Sequence, residues 1–216
     1  MRRNHYQQGT IPAGYTLLNY LESNGNPSGS TGQYINTGID TYKLETEIKF
    51  KECQVSQPTY KLQLVGGCWN ANNNRYYISS HIHDRDDASA SNYLCSVTKS
   101  NTPIRLQLTD LTKINVVIYN NDYNQIICNG EVKGTIPDIT AQGLTNKILL
   151  FAGVEGNGAI TRSSWRIYYV KFRRKDINKL VGYFVPVQDS QGVPCMYDYV
   201  SKNTFYNQGT GTFLYA

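Results

Sequence analysis

The stretch from Lys43 to Phe50 constrains this chain more than any other. Leu44, Thr46, Ile48 and Phe50 alternate with Glu45, Glu47 and Lys49. A strict period of two puts the first set on one face of an extended strand and the charges on the other, which is the pattern of a half-buried β-strand. Ile104-Arg105-Leu106-Gln107-Leu108 alternates in the same way, and Leu62, Leu64 and the run Arg75 to Ser80 continue it. No helical period holds over three turns. Composition agrees: charged residues make up 17% of the chain, against about 25% in average domains, while Tyr and Gly number 18 each and Asn is used heavily. A coiled coil would need Ala, Glu, Lys and Leu instead. A disordered chain would not carry this many aromatics.

The 216 residues suffice for one domain with a real core. Residues 1–12 read as a polar N-terminal arm and 13–216 as a single all-β domain. Its expected strands include Tyr15 to Leu21, Gln33 to Thr37, Ile114 to Tyr119 (apolar enough to be covered on both faces), Lys147 to Val154, Ser164 to Arg174 and Leu180 to Val187. Short pieces follow around Met196-Tyr197, Thr204-Phe205-Tyr206 and Thr212 to Tyr215. Asn129-Gly130 between Gln125–Cys128 and Glu131–Lys133 predicts a hairpin, because a type I′ turn needs two residues that tolerate positive φ. Pro186 is expected to end its strand, since proline donates nothing to a ladder. About a dozen strands with regular turn signals predict a two-sheet antiparallel sandwich.

The net charge of +5 is diffuse. Arg173-Arg174-Lys175 reads as a solvated turn rather than a nucleic-acid patch. The N-terminus lacks the apolar stretch of a secretion signal, and no apolar run is long enough for a membrane helix, so no membrane insertion is expected. The five cysteines (Cys53, Cys68, Cys95, Cys128, Cys195) are scattered, without a CxxC pair, and read as reduced, buried thiols.

Several ordered motifs carry a resemblance. They are Tyr15 to Glu22, Thr31 to Ile39, Leu150-Phe151-Ala152-Gly153, Trp165 to Phe172, Tyr183-Phe184-Val185-Pro186-Val187, Gly192 to Asp198 and Thr204 to Gly211. Together they resemble the concanavalin A-like (laminin G-like) jelly-roll modules of gut-bacterial proteins and of virion proteins of their tailed phages. The resemblance implies a two-sheet jelly-roll sandwich. It also implies a virion-associated protein, assembled in the host cytoplasm, with other virion proteins and copies of itself as partners. The aromatic–turn pairings of the C-terminal motifs read as staples that close the sandwich.

No residue pattern compels a reaction, and no enzymatic activity is expected. Glycosidases on this fold carry alternating carboxylates in E-x-D-x-x-E or E-x-D-x-E runs, with the acid and nucleophile about 5–5.5 Å apart. The nearest approach here, Glu45-Thr46-Glu47, reads as solvent-exposed decoration, so glycoside hydrolysis remains a remote alternative. His81, His83, Asp84 and Asp86 form a metal-like cluster whose plain reading is a solvated loop. Calcium is the one cofactor considered, because laminin G-like domains sometimes bind it.

Trp69, Asn70, Asn72, Asn73, Asn74, Tyr76 and Tyr77 combine flat rings with amides. That chemistry serves a surface glycan, as in a bacterial lectin-like module, or a protein interface. The plain alternative is an Asn-rich hairpin with its aromatics in strands. In the arm, Arg2, Arg3, His5 and Tyr6 are candidates for docking on a neighbouring subunit.

Overall fold

The computed structural model describes residues 9–24, 31–53, 61–69, 75–81, 93–96, 104–107, 113–136, 147–154, 160–162 and 164–216. Between 61 and 107, and at 154, 161 and 162, the description concerns the backbone. Nineteen strands and no helix make up the described secondary structure. The strands are β1 (Thr16–Leu17), β2 (Leu21–Glu22), β3 (Ile35–Asn36), β4 (Leu44–Glu52), β5 (Lys61–Trp69), β6 (Arg75–His81) and β7 (Tyr93–Ser96). Then come β8 (Ile104–Gln107), β9 (Asn115–Tyr119), β10 (Gln125–Cys128), β11 (Glu131–Thr135), β12 (Leu149–Leu150), β13 (Ala152–Val154) and β14 (Ile160–Arg162). The chain closes with β15 (Trp165–Arg174), β16 (Lys179–Gln188), β17 (Pro194–Asp198), β18 (Thr204–Phe205) and β19 (Leu214–Tyr215).

The large sheet runs β11-β10-β9-β4-β15-β16-β17-β18, with β1 added to β16, β2 to β15 and β19 to β2. A second sheet runs β3-β12-β5-β6-β7-β8, and β13 and β14 form a small ribbon. Every pairing is antiparallel. The sheets stack in a sandwich-like arrangement because one core serves both. Leu44, Ile48, Phe50, Val117, Trp165, Ile167, Val170 and Phe172 of the large sheet join Ile35, Ile148, Leu150 and Phe151 in a single buried cluster. Burying one such aliphatic or aromatic side chain contributes about 1.5–3 kcal/mol.

The alternation in β4 appears as read, with Leu44, Thr46, Ile48 and Phe50 buried and Glu45, Glu47 and Lys49 on the opposite face. The Asn129-Gly130 turn has φ of 51° and 89°, both positive, and joins Cys128 to Glu131. Four expectations change. β9 is covered on one face only, with Val116 and Ile118 half-buried outward. The run Lys147 to Val154 is broken at Phe151, whose φ is 64°. That turn of the backbone moves the chain from the pairing of β12 with β3 and β5 to the ribbon of β13 and β14.

The run Tyr15 to Leu21 is also two strands rather than one, interrupted at Leu18–Tyr20. Finally, Pro186 lies inside β16 rather than at its end. Its carbonyl accepts the Leu18 N–H. A residue's N–H and C=O point to the same side of an antiparallel strand, so the N–H that proline lacks faces the same way. On that side β15 has already left: its last pair with β16 is Val170–Phe184. Leu18 stands opposite Pro186 there, so the bond runs one way only, and the β1–β16 ladder closes at Leu17–Val187 where the proline donor is missing.

Candidate functional site

Because β16 and β15 part company after Phe184, the large sheet forks. One prong is β16, capped by β1 through Leu17–Val187. The other is β15, which now pairs with β2 through Ile167–Leu21. Leu18–Tyr20 bridges the prongs. At the same level β15 carries a bulge: Ile167 faces Phe50 and Tyr169 faces Lys49, leaving Tyr168 as the extra residue. A bulge re-aims side chains, and here two consecutive tyrosines both lie half-buried instead of one going to the core.

The result is a groove of about 510 Å³, within the roughly 300–1,000 Å³ typical of ligand clefts. Tyr20, Tyr168, Tyr169 and Tyr183 supply its rings, Leu17, Leu18, Val185 and Pro186 its apolar walls, and Lys49 its cation. The rings interlock. Tyr20 meets Tyr168 edge-on with centroids 5.9 Å apart, and Tyr169 meets Tyr183 at 6.2 Å. Lys49 Nζ stands 5.3 Å from the centre of the Tyr168 ring, and the Arg166 guanidinium 3.9 Å from that of Tyr20. Such cation–ring contacts fix ring orientation at a gain of about 0.5–1 kcal/mol when exposed.

The acids around the groove are engaged. Arg166 Nε donates to Glu22 at 2.8 Å. Glu47 accepts from the Tyr169 hydroxyl at 2.8 Å and from Lys171 Nζ at 3.0 Å. Arg173 grips both oxygens of Glu45 at 2.9 Å and also reaches Asp122. Burial, then the Glu47 charge, pushes the Tyr169 hydroxyl up, and the same two causes raise Tyr183. Both hydroxyls therefore keep their protons at neutral pH, and that of Tyr169 donates to Glu47. Lys49 and Lys51, on the same face of β4, have no carboxylate partner among the described residues, so the groove carries an excess of positive charge.

This geometry revises one expectation. Glu45 and Glu47 do face away from the core, but they are not loose decoration. Glu45 is 18% exposed and Arg173 16%, shielded enough for the bidentate pair to be structural. The basic run is likewise absorbed within the chain. Arg174 binds Asp176, and Lys175 Nζ donates to Asn120 Oδ1 and Asn124 Oδ1 at 2.9 Å each.

The sequence-predicted candidates fall elsewhere. Trp69 ends β5, and Tyr76 and Tyr77 follow Arg75 at the start of β6, with Trp69 paired to Arg75. The backbone thus brings these three together, while Asn70, Asn72, Asn73 and Asn74 lie outside the described residues. His81 closes β6, paired with Lys61 and Tyr93. His83, Asp84 and Asp86 lie outside the described residues, as do Arg2, Arg3, His5 and Tyr6. Among the described residues no group of three or more His, Cys, Asp or Glu gathers as metal ligands would. Downstream of the undescribed arm residues, Gly9 rests against the Tyr199 ring. Ile11 and Tyr15 pack on a second cluster of Val185, Val187, Cys195, Tyr197 and Tyr199.

The fork residues Tyr20, Lys49, Tyr168, Tyr169 and Tyr183 were not singled out from the sequence, although a signal existed. In β15 the core residues sit at odd positions (Trp165, Ile167) and then at even ones (Val170, Phe172). Such a change of parity requires one extra residue at Tyr168-Tyr169. No protein-family model and no curated protein matches this chain.

Proposed function

We propose that this chain is a non-enzymatic interaction protein of a tailed-phage virion: a capsid decoration, head-fibre or tail-associated subunit on a concanavalin A-like jelly roll. It works as a symmetric homo-oligomer assembled in the host cytoplasm and binds neighbouring virion proteins. The observation that carries the binding role is the forked outer face. Its acids, Glu22, Glu45 and Glu47, are each held by a cation, so what the face offers a partner is tyrosine rings and free ammonium groups. Rings with polar tips are the chemistry of protein interfaces. The ordered C-terminal motifs support the virion setting.

A carbohydrate-binding module is the second reading. It is favoured by the backbone pairing that sets Trp69 beside the start of β6, near Tyr76 and Tyr77. Sedimentation and particle banding test the first reading. The purified chain is expected to sediment as an oligomer, and the tagged chain to band with particles when supplied during phage growth. A monomer that never joins a particle overturns it. A glycan array with hits lost in Trp69→Ala would favour the second. Turnover of a polysaccharide panel would instead make the protein a hydrolase.

A further inference from the structure

The fork groove resting on the outer face has a definite chemistry, and we infer that it receives an acidic, proline-containing peptide segment of a partner protein, held in the polyproline II conformation. This deepens the interaction role proposed above and rests on it.

Three observations lead there. First, much of the backbone along the β1–β2 side of the groove is already paired. Leu17 pairs with Val187, Leu18 N–H goes to the Pro186 carbonyl, Asn19 N–H goes to the Ala216 carbonyl, and Leu21 is paired on both sides. An incoming peptide finds no continuous row of open donors along Leu17 to Leu21, so strand addition is disfavoured there. A polyproline II segment needs no ladder: its backbone forms no internal bonds, and aromatic-lined slots hold its side chains. Second, the lining combines four tyrosine rings and aliphatic walls with one amide, Asn19, and one ammonium, Lys49, and the Tyr169 hydroxyl is already given to Glu47. A sugar would bring more hydroxyls than the remaining side-chain groups can pair, and polar groups left unpaired on binding cost about 1–3 kcal/mol each. Prolyl and aliphatic side chains meet no such penalty. Third, the charge is one-sided. Lys49 stands in the groove over Tyr168, Lys51 follows on the same face, and neither has a carboxylate partner among the described residues. The nearby carboxylates of Glu22 and Glu47 are already occupied by Arg166 and Lys171. An Asp or Glu in the segment completes Lys49, and such complementarity sets register and specificity.

The test is selection from a random-peptide display library on the full-length protein. The expected enrichment combines proline with Asp or Glu. Affinity for the selected peptides should fall about tenfold or more in Lys49→Glu, an outward substitution that leaves the core untouched. Reselection on Lys49→Glu should replace the acidic position with Lys or Arg, a reversal that a merely structural role for Lys49 would not produce. Tyr168→Ala should weaken the same peptides. Absence of enrichment, or peptides that bind Lys49→Glu unchanged, overturns the inference. So does an acidic oligosaccharide whose binding depends on Lys49, since the groove would then hold sugar. If the chain bands with particles but yields no groove-dependent peptide, the interaction role stands and this occupant fails. If it yields them but never joins a particle, the virion role is what fails.

Discussion

The two faces of the large sheet are made by the same strands and obey different rules. Toward the second sheet, Phe50, Trp165, Ile167, Val170, Phe172 and Phe184 have no exposed surface, and their rings meet edge to face, as Phe172 and Phe184 do at 5.8 Å. Away from it, the same β4 and β15 carry Glu45–Arg173 and Glu47–Lys171 rungs, tyrosines stacked under cations, and the fork. The inner face is governed by volume, and the outer face by pairing of charges and hydroxyls. Stability should therefore concentrate on one side of the sheet and recognition on the other.

The sharpest way to break that division is to truncate one ring on each face. Phe172→Ala removes a fully buried ring from the shared core and should cost about 3–5 kcal/mol, a large share of an ordinary stability of about 5–15 kcal/mol. Tyr168→Ala, at the bulge itself and half-buried on the outer face, should cost about 1 kcal/mol or less. Urea denaturation of both variants measures the difference. Equal losses would mean that the outer tyrosines are core in all but position.

A second substitution asks whether the core also depends on a closure distant in sequence. Residues 207–211 latch onto 31–34. Gln208 N–H bonds the Tyr34 carbonyl, Thr210 N–H the Gly32 carbonyl, and Tyr34 N–H the Asn207 side chain. A Cβ on Gly209 would stand 2.0 Å from the Gly32 carbonyl oxygen, a backbone atom that cannot swing aside. Gly209→Ala should thus cost about 3 kcal/mol through overpacking, read as a fall in the urea midpoint. Asn207→Ala, which removes hydrogen bonds without adding volume, should cost less. If the two cost the same, hydrogen bonding rather than close approach holds the latch.

The division of faces was legible wherever a strand kept one phase. β4 declared both of its sides, and Asn129-Gly130 declared its turn, because both signals are local and repeat over neighbouring residues. The fork was not legible in the same way. It depends on Pro186 losing a neighbour, on Leu18–Tyr20 leaving the extended conformation to bridge the gap, and on a bulge at Tyr168, and each looked local only as an irregularity. Pro186 in particular reads as a strand end, since nothing near it in sequence says that Leu18 takes the place of β15 on its donor side. Pairing partners of Glu45 and Glu47 are equally silent, as Arg173 and Lys171 lie far along the chain. Ring-and-amide composition drew attention to Trp69 and Tyr76, while the groove is assembled from β1, β4, β15, β16 and the Leu18–Tyr20 bridge, segments spread along the sequence.

The thiols compare the two faces a third time. Cys128 belongs to the shared core and Cys195 to the smaller outer cluster under Ile11 and Tyr15. Burial raises both, and Cys195, with the Asp189 charge adding to burial, is pushed from 9.0 to about 12. A group whose folded pKa is raised contributes stability that is complete below its unfolded value and is lost as pH climbs toward the folded one. Between pH 9 and 12 the unfolded chain therefore gains by releasing this proton first. The loss should reach about 1 kcal/mol by pH 10 from Cys195 alone. Urea titrations at pH 7 and pH 10 measure it, and Cys195→Ala should flatten this part of the decline. If the alkaline loss is unchanged in that variant, the Cys195 thiol is wetter than its zero exposure implies.

The smallest effect probes the outer face on its own terms. Glu47→Gln keeps the oxygen that the Tyr169 hydroxyl donates to but removes the charge facing Lys171. For a pair whose members are each about a quarter exposed, the loss should be near 0.5 kcal/mol and should shrink in 1 M salt, where the screening length falls to about 3 Å. A loss above about 3 kcal/mol, indifferent to salt, would show a desolvated pair of the kind found in cores and would erase the distinction between the faces. The substitution also frees a second ammonium beside the groove, 5.1 Å from the Tyr183 ring. An acidic peptide should then bind slightly tighter, although the protein has become slightly less stable. Stability and affinity moving in opposite directions at one residue is what a face kept apart from the core requires.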